Sequence, residues 1–343
     1  MSAPGHRPKL SIVVPTMGRP ILRKTLASLL SMKQSGETEI LICGKIHDPE
    51  TRAFVESMAA RHPQVSWFPV VYAEGDSSEK KNLGWRKAAA DLVAFVDDDV
   101  VVAEDWVGHV VSAFSNPEVG FVSGPSLVPE DVGFWARLAG LTLSSRAAGY
   151  VSERYLHGGL EPREVKWSRL IGCNMAFRKS LLEALGGFRS DFWPGEEMIA
   201  AWQACQSGHK LYFIPGAFLY HYPRESMGRF WKQIFGYGAT RIRLIRAGVE
   251  VEPSSLVPGV WVLALSVALV LSFFSSYGVY LLGAILAAYA MVAAIITALK
   301  VKETGKLSDG LIFLTIPVMH LSYGIAQWVE FFRPGKDLSE ASG

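Results

Sequence analysis

Three consecutive carboxylates, Asp97, Asp98 and Asp99, close the apolar run AFVDDDV (94–100). Adjacent carboxylates repel, and a divalent cation such as Mg²⁺ or Mn²⁺ offsets the repulsion; Mg²⁺ typically takes one or two carboxylates and keeps its other positions for substrate phosphates. Alternate side chains of extended backbone point the same way, so Asp97 and Asp99 can face one ligand. An acidic surface turn would look the same. A second acidic group, Glu196-Glu197, opens a helix expected over 197–207. Carboxylates there are favourable with the helix dipole, and in a cleft one of them can act as a general base. EKKNLGWRKAAA (79–90) puts Lys80, Lys81 and Asn82 in the first turn of a helix, where the lysines would approach a diphosphate or simply be solvated. His221 lies in the strand-like run AFLYHY (217–222), where a lone histidine is more often structural than a ligand.

Elements of two kinds must position these groups. LSIVVP (10–15), EILICG (39–44), VSWFPVV (65–71) and LVAFVD (92–97) are short apolar runs rich in β-branched residues. Helical stretches lie between them near 20–32, 49–61 and 78–90, and further strands are expected at 119–124, 210–215 and 217–222. Strands alternating with helices predict an α/β domain over 1–223, with a mainly parallel sheet and helices on both faces. Ligands of such sheets bind beyond the carboxyl ends of the strands, where the aspartates fall.

The remainder of the chain differs. Of 343 residues 50% are apolar and 19% charged, fewer charged than an ordinary soluble domain carries. No charged residue occurs from Pro253 to Leu299, nor from Gly310 to Val329. A bilayer span needs about 20 apolar residues, so three membrane helices are expected near 256–274, 277–299 and 310–331, within a transmembrane region 251–332 followed by a tail, 333–343. The segment 224–250 reads as a basic amphipathic helix at the membrane interface, with Trp231, Phe235, Ile242 and Ile245 on its apolar face. Arg224, Arg229, Lys232, Arg241, Arg243 and Arg246 precede the first span, and Lys300, Lys302 and Lys306 lie between the second and third. By the positive-inside rule the first 250 residues and that link are cytoplasmic, and the tail with Arg333 and Lys336 lies outside. A plasma (inner) membrane protein with several spans is expected.

Lys and Arg number 34 against 32 Asp and Glu, a balance that excludes a charge-driven nucleic-acid binder. Cys43, Cys173 and Cys205 are far apart, which argues against a disulfide framework or a structural zinc site. The first ten residues hold no apolar run, so no secretory signal is expected. Within the uncharged runs 253–299 and 310–329 His320 is the one residue among Asp, Glu, His, Lys and Arg, too few for a transporter.

The order of these features resembles the family 2 glycosyltransferases of GT-A (Rossmann-like) fold. The matching segments are SIVVPTMGRP (11–20), KKNLGW (80–85), AFVDDDV (94–100), IGCNMAFRKSLLEALGGF (171–188) and PGEEMIAAWQACQSGHKLYFIPGAFLYHYP (194–223). The ending HLSYGIAQWVEFF (320–332) is similar to the last span of membrane-bound members that build exopolysaccharide and related glycolipids. The resemblance implies that Asp99 binds a divalent metal (Mg²⁺ or Mn²⁺) on the donor diphosphate, that Asp97 contacts the ribose or joins the metal, and that His221 adds a further ligand. It implies that Asp98 helps hold the donor sugar, that Pro15 and Thr16 line the nucleoside pocket, and that Lys81 stands where the family often has Arg. Asn174 would line the donor or acceptor sugar site. The family's Glu-Asp pair is Glu196-Glu197 here, which makes Glu197 the general base, one methylene longer than usual, with Glu196 as the other candidate. CGKIHDPET (43–51) lacks the family's DDGSxD-like pattern, leaving Asp48 or Asp76 to contact the base. No QxxRW follows the acidic pair, so one sugar per encounter is expected. In 127–170 the apolar patch Phe134, Trp135 and Leu138 reads equally as core or as a guide for a lipid-linked acceptor.

The resulting expectation is an inverting, metal-dependent transfer from a nucleotide-diphospho-sugar, UDP-linked, to a lipid-linked (polyprenyl-type) glycan acceptor at the cytoplasmic membrane face. Two alternatives stand beside it. A polyprenyl-phosphate monosaccharide synthase would need no base, and a degenerate domain serving as a membrane scaffold would bind without turnover.

Overall fold

The computed structural model describes residues 7–72, 76–155 and 161–334. Residues as far as Pro129, with Glu153–Tyr222, form one compact unit; Glu130–Ser152 and the chain from Pro223 form another. The segment 130–152, expected inside the first domain, thus groups with the C-terminal helices.

The first unit opens β1 (Leu10–Pro15), α1 (Leu22–Ser31), β2 (Thr38–Cys43), α2 (Pro49–Arg61), β3 (Val65–Phe68), α3 (Asp76–Lys87), β4 (Leu92–Val96) and β5 (Val100–Val102). It continues α4 (Trp106–Ala113), β6 (Val119–Ser123) and β7 (Ser126–Leu127). After α5 (Phe134–Leu143) of the second unit, it resumes with β8 (Arg163–Val165), β9 (Asn174–Arg178), α6 (Lys179–Leu185), α7 (Glu196–Gln206), β10 (Lys210–Phe213) and β11 (Leu219–His221). The main sheet runs β3-β2-β1-β4-β9-β6-β10-β8. The first four strands are parallel, and β9 is antiparallel between β4 and β6. A small sheet, β5-β11-β7, lies apart from it.

Burial on both faces explains why β1 reads as an unbroken apolar run. Ile12 and Val14 point into one core layer with Leu22, Leu26 and Val55. Val13 points into the other, with Trp85, Phe95 and Ala200. Gly84 lets α3 close on β1, since a Cβ there would lie 2.2 Å from Val13 Cγ1. The third expected strand ends at Phe68 rather than residue 71, and α3 begins at Asp76.

The second unit adds α8 (Met227–Arg246), α9 (Val257–Ser272), α10 (Ser276–Thr304) and α11 (Ile312–Phe332) to α5. Pro253–Ser272, Ser276–Thr304 and Leu307–Phe332 are long and apolar enough to cross a membrane. The third has the lowest mean hydropathy, 1.3. Its polar residues face protein instead of lipid: Ser322 Oγ donates to Trp231 O at 2.7 Å and Gln327 Nε2 to Ser255 O at 2.8 Å.

One face of α8 packs on protein: Phe230, Ile234 and Leu244 are buried, whereas Ile245, on the face expected at the membrane interface, is 42% exposed. Gly238 lets α8 close on α11; a Cβ there would lie 2.2 Å from Tyr323 O. The patch in α5 divides as well. Leu138 is core with Ala293, Ile312 and Ile316, while Phe134 and Trp135 are exposed and meet edge to face at 5.1 Å. Arg137 grips Asp309 with two hydrogen bonds, of 3.0 and 2.7 Å. Lys336 lies outside the described residues.

Candidate active site

Parallel pairing of β1 with β4, with Ile12 opposite Ala94, brings the carboxyl ends of the two strands together. The loop after β1 therefore meets the aspartate triplet after β4. Asp98 is buried and serves that loop: its Oδ2 accepts from Thr16 Oγ1 (2.7 Å) and Met17 N (3.0 Å), and its Oδ1 accepts from Arg19. Thr25 Oγ1 of α1 donates to Asp98 O at 3.0 Å. The middle aspartate, expected to hold the donor sugar, is bonded here to the chain's own loop.

Asp97 and Asp99 turn the other way. Antiparallel pairing sets His221 of β11 opposite Val100 of β5, beside Asp99. His221 Nε2 lies 3.1 Å from Asp99 Oδ1, and one ligand atom from each of Asp97, Asp99 and His221 falls within 4.8 Å of the others. Two carboxylates and an imidazole suit a divalent cation with positions left open, and the imidazole fits Mn²⁺ better than Mg²⁺. The charges agree. Burial, and then the neighbouring charge of Asp99, push the Asp97 carboxyl upward. Burial works against a charged His221, yet Asp99 outweighs it and holds the imidazole well above its ordinary value. The site is short of positive charge, which is what a bound cation supplies.

The two glutamates at the start of α7 have different surroundings. Glu196 is buried; its Oε1 accepts from Lys81 Nζ at 2.9 Å and its Oε2 from Gly195 N at 3.1 Å. Burial alone would raise its pKa, but Lys81 overrides this and holds it below the usual carboxylate range. At Glu197 burial, and then the charge of Glu196, push the pKa up to about 7; the charges of Lys81 and Arg154 offset the upward push only in part. Gly172 leaves room for it, since a Cβ there would come within 3.2 Å of the Glu197 carboxyl. A partly exposed carboxylate with that pKa is suited to accept a proton near neutral pH.

Other expected site residues have definite partners. Asn174 is 1% exposed; its Oδ1 accepts from Trp106 Nε1 (3.0 Å), and its Nδ2 donates to Pro125 O (3.0 Å) and Ala217 O (2.8 Å). Through these three bonds its amide ties α4 and the segments at Pro125 and Ala217 together. Lys81, expected at the diphosphate, has its ammonium turned to Glu196 instead. Asp76 accepts from Lys80, whose Nζ also donates to Thr16 O at 2.8 Å. Asp48 caps α2 by accepting from Thr51 N and Oγ1. Pro15 pairs with Cys43 at the end of β1, next to Thr16. Trp135 belongs to the second unit. Sequence reasoning did not single out Arg19. The signal for Arg19 was a cation four residues past a strand end, inside a segment that carried the family resemblance.

The chain is 28% identical to an O-antigen biosynthesis protein of Myxococcus xanthus, over 54% of this chain but 15% of that protein's length. It is 26% identical to a succinoglycan biosynthesis protein of Rhizobium meliloti, over 71% of this chain and 77% of the other. In fold it is similar to a mannosyltransferase of Pyrobaculum calidifontis solved with GDP-mannose and Mn²⁺ (TM-score 0.59, 19% identity, 98% of this chain and 88% of that one). The glycosyl transferase family 21 model matches residues 1–330, so the glycosyltransferase resemblance resolves into a definite assignment: the chain belongs to glycosyl transferase family 21.

Proposed function

We propose that this glycosyltransferase moves a sugar from a nucleotide-diphospho-sugar to a lipid-linked glycan acceptor, with inversion, at the cytoplasmic face of the plasma membrane. The observation that carries the reading is the convergence of Asp97, Asp99 and His221 at the carboxyl end of β4, in the same unit as a glutamate tuned to about 7. A divalent cation held by those three residues would neutralise the departing diphosphate. Pro15 and Thr16 line the nucleoside pocket. Glu197 takes the proton of an acceptor hydroxyl, whose oxygen bonds to the anomeric carbon from the face opposite the diphosphate. The bond to the diphosphate breaks with its electron pair, and one displacement inverts the centre.

Three membrane-crossing helices support an acceptor anchored in lipid, and the exposed Trp135 is available to it. The raised Glu197 favours a hydroxyl acceptor over a polyprenyl phosphate, which is already ionised and needs no base. The resemblance favours a UDP-sugar, and the GDP-mannose of the solved relative raises a GDP-sugar as the alternative. The test is nucleotide release from UDP-, GDP- and dTDP-sugars by detergent-purified protein, with Mn²⁺ or Mg²⁺ and a membrane lipid extract. Release from one donor, lost in Asp99→Asn, supports the reading. Metal-dependent donor binding without turnover would indicate a scaffold instead.

A further inference from the structure

We propose that Arg19 is the side chain that receives the donor's diphosphate, and that Asp98 and Asp99 hold it at the candidate metal site. This rests on the glycosyl-transfer reading above.

The donor brings a diphosphate to a cluster of three carboxylates, and a side-chain cation is needed beside the metal. The two lysines that the sequence offers are both engaged. Lys81 is 5% exposed and paired with Glu196, and Lys80 is 7% exposed and tied to Asp76 and Thr16 O. Arg19 differs. Its Nη2 bridges Asp98 Oδ1 and Asp99 Oδ2, the latter at 2.9 Å, yet its side chain is 38% exposed. Among the described residues its buried Nε has no hydrogen-bond partner. A guanidinium offers five donors in a rigid fork suited to phosphate oxygens, so Arg19 holds donors that the chain itself leaves unused.

Charge balance points the same way. Asp97, Asp98, Asp99 and Arg19 together carry two negative charges, which one divalent cation cancels. The diphosphate then approaches a neutral cluster. Without Arg19 it would approach a net negative one. Asp99, which would hold the cation together with Asp97 and His221, is also one of the two carboxylates that Arg19 contacts. Asp98 keeps the arginine at the rim of the metal site, where the diphosphate arrives.

The test measures binding with full-length protein in detergent, by calorimetry. Mn²⁺ alone is titrated first, then UDP and GDP at saturating Mn²⁺, for wild type, Arg19→Gln and Arg19→Lys. The expected result is that Arg19→Gln binds Mn²⁺ at least as tightly as wild type, yet binds the nucleoside diphosphate about 10- to 100-fold more weakly, the range for a lost hydrogen bond to a charged group. Arg19→Lys, which keeps the charge and loses the fork, falls between. Nucleoside diphosphate affinity unchanged in Arg19→Gln overturns the assignment. Loss of Mn²⁺ binding in the same variant also overturns it, because Arg19 would then be a scaffold for the carboxylates. Failure of wild type to bind either diphosphate with Mn²⁺ overturns the glycosyl-transfer reading, and this proposal with it.

Discussion

Lys81 and Glu196 form a buried ion pair with Nζ and Oε1 2.9 Å apart, and that pair sets two adjacent glutamates to different tasks. Glu196 is fixed in its ionised form. Glu197, next to that fixed charge and without an ion pair to Lys81 of its own, is pushed up to about 7.

Replacing Glu197 by Gln removes the base and keeps the shape. Turnover should fall by about 10²- to 10⁴-fold, with donor binding little changed. Steady-state kinetics alongside donor calorimetry separate the two; a variant that retains turnover would remove Glu197 from the mechanism.

The pH profile of the wild type follows from the same residue. A base works deprotonated, so kcat should decline as pH falls through about 7 and level off above it. In Glu197→Gln that limb should disappear. The stability effect has the opposite sense. Between the ordinary value of 4.5 and about 7, the folded protein keeps a proton that the unfolded chain has released. The contribution of Glu197 to stability is therefore present at low pH and lost as pH rises through that window.

Lys81→Met should act on folding before it acts on chemistry. It strands Glu196, 3% exposed, as a buried charge without its partner, at a cost of about 3–5 kcal/mol. Urea unfolding reads this directly. Unchanged stability with a raised donor KM would return Lys81 to the diphosphate.

Asn174→Ala separates a frame residue from a sugar contact. It leaves Trp106 Nε1 and the carbonyls of Pro125 and Ala217 unpaired, each worth about 1–3 kcal/mol. The expected outcome is a lowered unfolding midpoint. A higher KM at full stability would place the amide at the substrate.

Chelation should abolish activity in the wild type, and Mn²⁺ should restore it. Asp99→Asn should not recover at the same Mn²⁺ concentration, and metal titration followed by calorimetry would show why. Activity that survives chelator would disconnect Asp97, Asp99 and His221 from the reaction.

The parts legible in the sequence were those written locally. β1 and β4 stand out because both faces of each strand are buried, so that an apolar run has no polar alternation to disguise it. The triplet after β4 stands out because three carboxylates are costly to place without a reason. What escaped depends on partners distant in the chain. Asp98 looks like its neighbours until Thr16, 82 positions away, claims it. Asn174 sits in a motif shared with its family, but its role is fixed by Trp106 and Ala217 on other elements. The packing of α8 on α11 was not legible because Gly238, which offers no side chain to count, sets that contact.

The grouping of residues 130–152 with the C-terminal helices decides how this enzyme can be dissected. The chain leaves the catalytic unit after Pro129, returns at Glu153 and leaves again after Tyr222, so that unit is not one continuous stretch. A water-soluble fragment stopped at residue 223 would carry α5 without the helices that cover Leu138 and without Asp309, the partner of Arg137. Such a fragment would expose an adhesive apolar face and self-associate. The shorter route to a soluble catalytic unit is to replace residues 130–152 by a short polar linker.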